Sequence, residues 1–176
     1  GSWKFAEEGI AAGVAVNGDG REQAGEGVAV NDADGDGRLD ILVTNFSEDT
    51  NTLYRQYEPG VFEDYSGKSR LGAPSWAFLG WGVAMADFDN DGWLDLYFVN
   101  SLTHKARIGS ESPEPSVLFR NNHDGTFTNA TAAAGLANNR WGTGVCAGDF
   151  NNDGWQDLFV ANLGKSRLYL NRQGKF

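Results

Sequence analysis

Cysteine, methionine, histidine and proline are scarce in this chain, with one, one, two and four residues among 176. The single thiol, Cys146, excludes an intramolecular disulfide. His104 and His123 have no cysteine or acidic partner at zinc spacing and read as surface loop residues. No apolar run is long enough to span a bilayer, and no leader peptide is read at the N-terminus. Basic residues are also few. Lys and Arg number 14 against 24 Asp and Glu, and the net charge of −10 argues against nucleic acid and against insertion into or attraction to an anionic membrane. Catalytic patterns are missing too. Ser47, Ser66 and Ser75 stand in no nucleophile elbow, and Gly25-Glu26-Gly27 lacks the third glycine and following helix of a dinucleotide site. With no repeated acid–base pair, the chain is expected not to be an enzyme.

What is abundant is glycine, at 24 residues, and aromatic side chains, at 12%. That mixture suits an all-β chain rich in turns, and the length suits one domain or part of one. The acidic residues are not scattered. Eleven of the 24 fall in three loops of one pattern. The first is Asp32-Ala33-Asp34-Gly35-Asp36-Gly37-Arg38-Leu39-Asp40, the second Asp87-Phe88-Asp89-Asn90-Asp91-Gly92-Trp93-Leu94-Asp95, and the third Asp149-Phe150-Asn151-Asn152-Asp153-Gly154-Trp155-Gln156-Asp157. Oxygen side chains stand at positions 1, 3, 5 and 9, and a glycine at position 6.

Those residue types at that spacing are the chemistry of a hard cation. Calcium takes six to eight oxygens at about 2.3–2.6 Å, and a tight turn aims alternate side chains at one point. The carbonyl of position 7 supplies a further oxygen, which leaves that side chain free to vary as Arg38, Trp93 and Trp155. Without an ion the carboxylates crowd, and each like-charge pair at 4 Å costs about 1 kcal/mol in water and more at a protein surface. Position 3 of the third loop is Asn151, which removes one charge and is expected to weaken that site. Three calcium ions would bring the net charge from −10 to about −4. An EF-hand is excluded, because position 12 is Val43, Phe98 or Val160 in place of glutamate, and the following runs read as strands rather than helices. Asn17-Gly18-Asp19-Gly20 lacks the position-5 acid and reads as a simple turn.

Each loop belongs to a longer repeat. Gly25-Glu26-Gly27-Val28, Gly80-Trp81-Gly82-Val83 and Gly142-Thr143-Gly144-Val145 precede the loops, and these small residues permit close backbone packing. Cys146 stands where the other copies carry Ala29 and Ala84, so a buried core thiol is expected. An apolar strand follows each loop. Leu53-Tyr54-Arg55, Leu118-Phe119-Arg120-Asn121 or Leu168-Tyr169-Leu170-Asn171 comes next, then a turn and Phe62, Phe127 or Phe176. Each copy predicts one four-stranded antiparallel sheet, so the chain predicts three. A radial array of such sheets is a β-propeller. Residues 1–23 are a lead-in, 24–78 the first blade, 79–140 the second and 141–176 the third.

The wording Gly-Val-Ala…Asp-Phe-Asp-Asn-Asp-Gly-Trp-Leu-Asp-Leu-Tyr-Phe-Val-Asn resembles the FG-GAP/VCBS repeats, the blade type of the integrin α-subunit head, and is similar to the bacterial ASPIC/UnbV and cartilage acidic protein-like group. The likeness runs from Phe5 to Phe176. It implies calcium at each loop and an adhesion or protein-interaction role. Calcium-dependent modules of low affinity fill outside cells, which points to a secreted or cell-surface protein, with the periplasm as the alternative. Three blades are fewer than the four to eight of a closed ring. Trp3-Lys4-Phe5 reads like the last strand of a preceding blade, resuming the repeat where Gly174-Lys175-Phe176 leaves it. A piece of a larger propeller, a ring closed by a second copy and an open array all fit this count. Expected partners are a protein or further copies of the chain, with a glycan as the alternative. Asn45, Asn100 and Asn162, repeated at strand ends, are the one hint of a lectin-like face. Trp76, Trp81 and Trp141 near the strand entrances are expected to serve packing. Asn45-Phe46-Ser47 and Asn129-Ala130-Thr131 match the N-glycosylation pattern. Lys105-Ala106-Arg107 reads as a solvated island, and residues 108–115 as an inserted loop suited to recognition.

Overall fold

Short apolar runs after each acidic loop, Ile41-Leu42-Val43, Leu96-Tyr97-Phe98-Val99 and Leu158-Phe159-Val160-Ala161, produce strands, and the strands pair in chain order. The computed structural model describes residues 2–101, 116–136, 138 and 140–176. His104, Lys105-Ala106-Arg107 and the inserted loop lie outside them. The first sheet orders β1 (Gly27–Asn31), β2 (Asp40–Thr44), β3 (Thr52–Glu58) and β4 (Val61–Asp64) as antiparallel neighbours. The second repeats this with β5 (Leu79–Ala86), β6 (Asp95–Ser101), β7 (Val117–Asn121) and β8 (Phe127–Asn129). The third has three strands, β9 (Gly142–Gly148), β10 (Asp157–Asn162) and β11 (Arg167–Tyr169).

The three-stranded third sheet corrects the expectation of four. The β7–β8 ladder starts at Phe127, the residue equivalent to Phe176. Gly174 and Lys175 therefore belong to the turn, and Phe176 pairs in no ladder among the described residues. Phe176 instead packs edge-on against Phe88, with ring centroids 5.9 Å apart, and its N–H donates to the Ala134 carbonyl at 2.9 Å. The strand expected at Trp3-Lys4-Phe5 does not form either. Among the described residues they have no ladder partner, and Trp3 and Phe5 are about nine-tenths exposed. The following segment does copy the repeat. The short helices Gly9–Ala12 and Thr131–Ala134 both end on a left-handed glycine, Gly13 and Gly135, and each glycine sits against a carbonyl, that of Phe62 or Phe176. Asn17 to Gly20 is a turn, closed by N–H donors of Asp19 and Arg21 to the Asn17 side chain.

The innermost strands explain the repeated Gly-x-Gly. A Cβ on Gly27 would lie 2.0 Å from the Trp81 carbonyl oxygen, and one on Gly82 2.8 Å from the Gly144 Cα. β1, β5 and β9 therefore touch backbone to backbone, which only glycine permits. Apolar layers fill the space between sheets. Leu42 and Leu53 of sheet one meet Val83, Leu96, Phe98 and Phe119 of sheet two. Tyr97, Val99 and Leu118 on the other face of sheet two meet Leu158 and Val160 of sheet three. Each such buried side chain contributes about 1.5–3 kcal/mol.

Cys146 departs from expectation, for it is exposed. Its equivalent Ala84 is buried because sheet three covers it. No described sheet covers the corresponding face of sheet three.

Candidate metal centre

The three acidic loops adopt one conformation. Position 4 is Gly35, Asn90 or Asn152, with φ of 71, 56 or 57°, and position 6 is Gly37, Gly92 or Gly154, with φ of 85, 92 or 88°. Glycine and asparagine are the residues that tolerate this left-handed backbone. The requirement at position 4 is legible as Gly/Asn/Asn, although the carboxylate pattern draws the eye first.

The position-1 carboxylate accepts from the N–H groups of positions 5 and 6. For Asp32 these are Asp36 at 3.1 Å and Gly37 at 2.8 Å, for Asp87 they are Asp91 at 3.1 Å and Gly92 at 2.8 Å, and for Asp149 Asp153 at 3.0 Å and Gly154 at 2.9 Å. Position 5 accepts from the N–H of position 7, so Asp36, Asp91 and Asp153 bind Arg38, Trp93 and Trp155 at 2.9–3.0 Å. Position 9 is buried and clamps two segments. Asp40 accepts from Ala33 and Gln56 N–H, Asp95 from Phe88 and Asn121, and Asp157 from Phe150 and Asn171, all within 3.2 Å. Loops one and two are thereby fastened to β3 and β7 of their own sheets, and loop three to Asn171 just past β11.

In the first two loops the carboxylates converge. One oxygen each from Asp32, Asp34 and Asp40 lies within 4.8 Å of the others, and so do oxygens of Asp87, Asp89 and Asp95. Asp149 and Asp157 form no such group of three with another acid among the described residues, since position 3 there is Asn151. Burial pushes the Asp40 carboxyl up to about 6 and the Asp95 carboxyl up to about 7, helped by neighbouring carboxylates and opposed by their backbone donors. Burial likewise raises Asp34 and Asp89, against the pull of Arg55 and Arg120. Asp89 Oδ1 is buried with no donor among the described residues. Crowded carboxylates, an orphaned oxygen and all-oxygen donors fit a hard divalent cation such as calcium. The Arg38, Trp93 and Trp155 carbonyls remain proposed ligands, as does Asp36, Asp91 or Asp153 at position 5.

Charged residues that the carboxylate pattern does not include complete the first two loops. Arg55 pairs through Nε with Asp34, and its Nη2 lies 3.7 Å from Asp36. Arg120 repeats this, with Nε 2.6 Å from Asp89 and Nη2 3.0 Å from Asp91. Arg38 also pairs with Asp36. His123 is more than a surface residue. It stacks on Trp93 at 5.0 Å, and its Nε2 lies 2.8 Å from Asp91. Burial raises the Asp91 carboxyl, but hydrogen bonds from His123, Trp93 and Arg120 outweigh it and leave the group below its ordinary value. The signal for Arg55 and Arg120 was their common place in the repeat.

The loops also join the sheets. Asn121 Nδ2 donates to the Ala33 carbonyl at 2.9 Å, and Asn171 Nδ2 to the Phe88 carbonyl at 2.8 Å. An amide at the end of β7, or just past β11, thus latches position 2 of the preceding loop. Other candidates prove structural. Asn45, Asn100 and Asn162 are buried, and Asn45 and Asn162 spend their amides on backbone carbonyls, so the lectin hint loses its basis. The buried Asn45 presents no side chain for glycosylation, whereas Asn129 is exposed. The hydroxyls of Ser66 and Ser75 accept from the Leu53 and Asn51 N–H groups. Trp81 donates to Ser101, while Trp76 is half exposed. Among the described residues no helix is long and apolar enough to cross a membrane.

A family model described as an FG-GAP-like repeat matches residues 32–98 and 108–160. Cartilage acidic protein 1 of Homo sapiens is 30% identical over 159 residues, covering 84% of this chain and 22% of that protein. The Mus musculus protein of the same name is 29% identical over 159 residues, covering 84% of this chain and 23% of its own length. The chain therefore spans less than a quarter of these curated relatives.

Proposed function

The chain belongs to the FG-GAP-like repeat family, and from that premise we propose that it is an extracellular, calcium-stabilised propeller module that acts by binding protein rather than by catalysis, its partners being further blades supplied by copies of the chain. Calcium in this reading is structural and occupies all three loops. It pins the hairpin that the position-9 carboxylate already ties to the third strand, and it neutralises charge that would otherwise oppose folding.

The observation that carries the reading is a pair of uncovered sheet faces. On sheet three, Phe159 and Leu168 are 39% and 53% exposed, although their equivalents Tyr97 and Leu118 are buried against the next sheet. On sheet one, Val28 and Val30 are 65% and 53% exposed, although Val83, at the Val28 position, is buried against the preceding sheet. One face is thus the leading half, and the other the trailing half, of an interface formed twice inside the chain. Phe150 stands free where Phe88 is buried, and Gln56 holds the place of the latching amides Asn121 and Asn171. Such a heterologous contact yields a ring or an open array. Sedimentation in millimolar calcium and again in chelator tests this. The expected mass in calcium is a multiple of 19.0 kDa. A 19.0 kDa species at all protein concentrations would remove the self-assembly reading.

A further inference from the structure

The arginine beside each of the first two loops is more than surface decoration. Arg55 and Arg120 reach their loops from equivalent positions on β3 and β7, and both direct Nε to position 3 and Nη2 toward position 5. The residue after each is held, since Asp40 accepts from Gln56 N–H and Asp95 from Asn121 N–H. The strand that carries the guanidinium is therefore fixed to the loop, while the long side chain can swing. A path outward exists, because the Arg55 side chain is one-third exposed and that of Arg120 one-half.

The third loop lacks this device. Leu170 occupies the arginine position and is 40% exposed. Within that loop the Asn151 amide donates to Asp153 at 2.9 Å, a neutral link from position 3 to position 5. Two loops therefore carry four carboxylates and a guanidinium from the third strand, with Arg38 adding a second at loop one, and the third loop carries three carboxylates and no such guanidinium among the described residues.

We propose that Arg55 and Arg120 are built-in counter-cations that hold loops one and two together without metal and compete with calcium for the oxygens of positions 3 and 5, whereas loop three, with Leu170, relies on the ion alone. The inference rests on the calcium reading of the loops. Its physics is charge and coordination. A carboxylate oxygen pointed at a guanidinium in a charge-assisted bond has fewer lone pairs for a cation. A positive charge a few ångströms from the metal position also lowers the cation's affinity. Displacing the arginine must precede or accompany entry of the ion. The orphaned Asp89 Oδ1 is the oxygen that the arginine leaves unsatisfied.

A reciprocal exchange on the full chain tests this. In Arg120→Leu the melting temperature in chelator should fall, while the calcium titration of loop two shifts to about three- to tenfold lower concentration, the scale of one lost ion-pair interaction. In Leu170→Arg both effects should reverse at loop three. Arg120→Lys keeps the charge but not the fork and should fall between. Unchanged isotherms, or weaker calcium binding in Arg120→Leu, would overturn the proposal. If Arg120→Leu does not fold without calcium, Leu170→Arg at its exposed site still decides the sign. Uptake of calcium by the unaltered chain is scored separately. Its absence would defeat the calcium reading, and a lower melting temperature in chelator would then show the arginines as ion-pair partners alone.

Discussion

Sheet two is covered on both faces, and sheet three on one. Residues of one type at one repeat position therefore meet opposite fates. Phe88 is 1% exposed and Phe150 49%, although both stand at position 2 of their loops. The difference lies in the neighbour. Phe88 lies against Phe176, which the third copy supplies, and no described sheet supplies a Phe176 for Phe150. The loops differ in parallel. Loop two is bridged by Arg120 and flanked by His123, while loop three has Leu170 and Asn151. Blades that look alike in sequence are thus unequal in how much of their stability is internal.

Chelation should disturb this comparison most. Removing an ion present at a hundred times its dissociation constant costs about 2.7 kcal/mol per site, or roughly 5–10 °C in a domain of this size. Hydrogen exchange in chelator should then loosen β9–β11 before β5–β8. An unchanged melting temperature in chelator would end the structural-calcium reading. Phe88→Ala comes next, with an expected loss of about 3–5 kcal/mol in urea unfolding, the cost of a buried aromatic. Phe150→Ala in the monomer should stay within about 0.5 kcal/mol. Equal losses would show that Phe150 is covered in solution.

A smaller contrast concerns the ligands. Asp89→Ala should weaken calcium at loop two by about tenfold or more, because it deletes a charged ligand. Asn151→Ala should weaken loop three by a few-fold. Equal affinities in two titrations would contradict this. The smallest effect is that of pH. Asp40 and Asp95 bind protons more tightly when folded, at about 6 and about 7, than an unfolded aspartate does. Their contribution to metal-free stability is full at about pH 3 to 4 and lost as pH rises to about 7. Asp91 acts the other way, its contribution being lost on acidification. Calcium favours the ionised carboxylates, so the gain in melting temperature on adding calcium should be larger at pH 7.5 than at pH 5.5. An equal gain at both would contradict the burial of these acids.

Much of the fold could be read directly. The spacing of Gly27, Gly82 and Gly144 announced a backbone-to-backbone contact, and the apolar runs after each loop announced β2, β6 and β10. The loops were legible because alternate carboxylates around a glycine have few other uses. Arg55, Arg120 and His123 were harder to assign, since they come from other strands and turns and reach the loops only once the third and fourth strands pair. Cys146 misled for a related reason. Its equivalents Ala84 and Ala29 are buried and partly buried against a following sheet, and a pattern local to one copy does not report whether that sheet is present.

The sequence by itself determined the local elements, because short apolar runs, left-handed positions and the charge of a loop act over a few residues. Only the tertiary structure decided which carboxylates pair with a guanidinium, which phenylalanine is buried and which faces stay open. Those outcomes depend on strands that are distant in the chain meeting in space, and burial is a property of that meeting rather than of the residue.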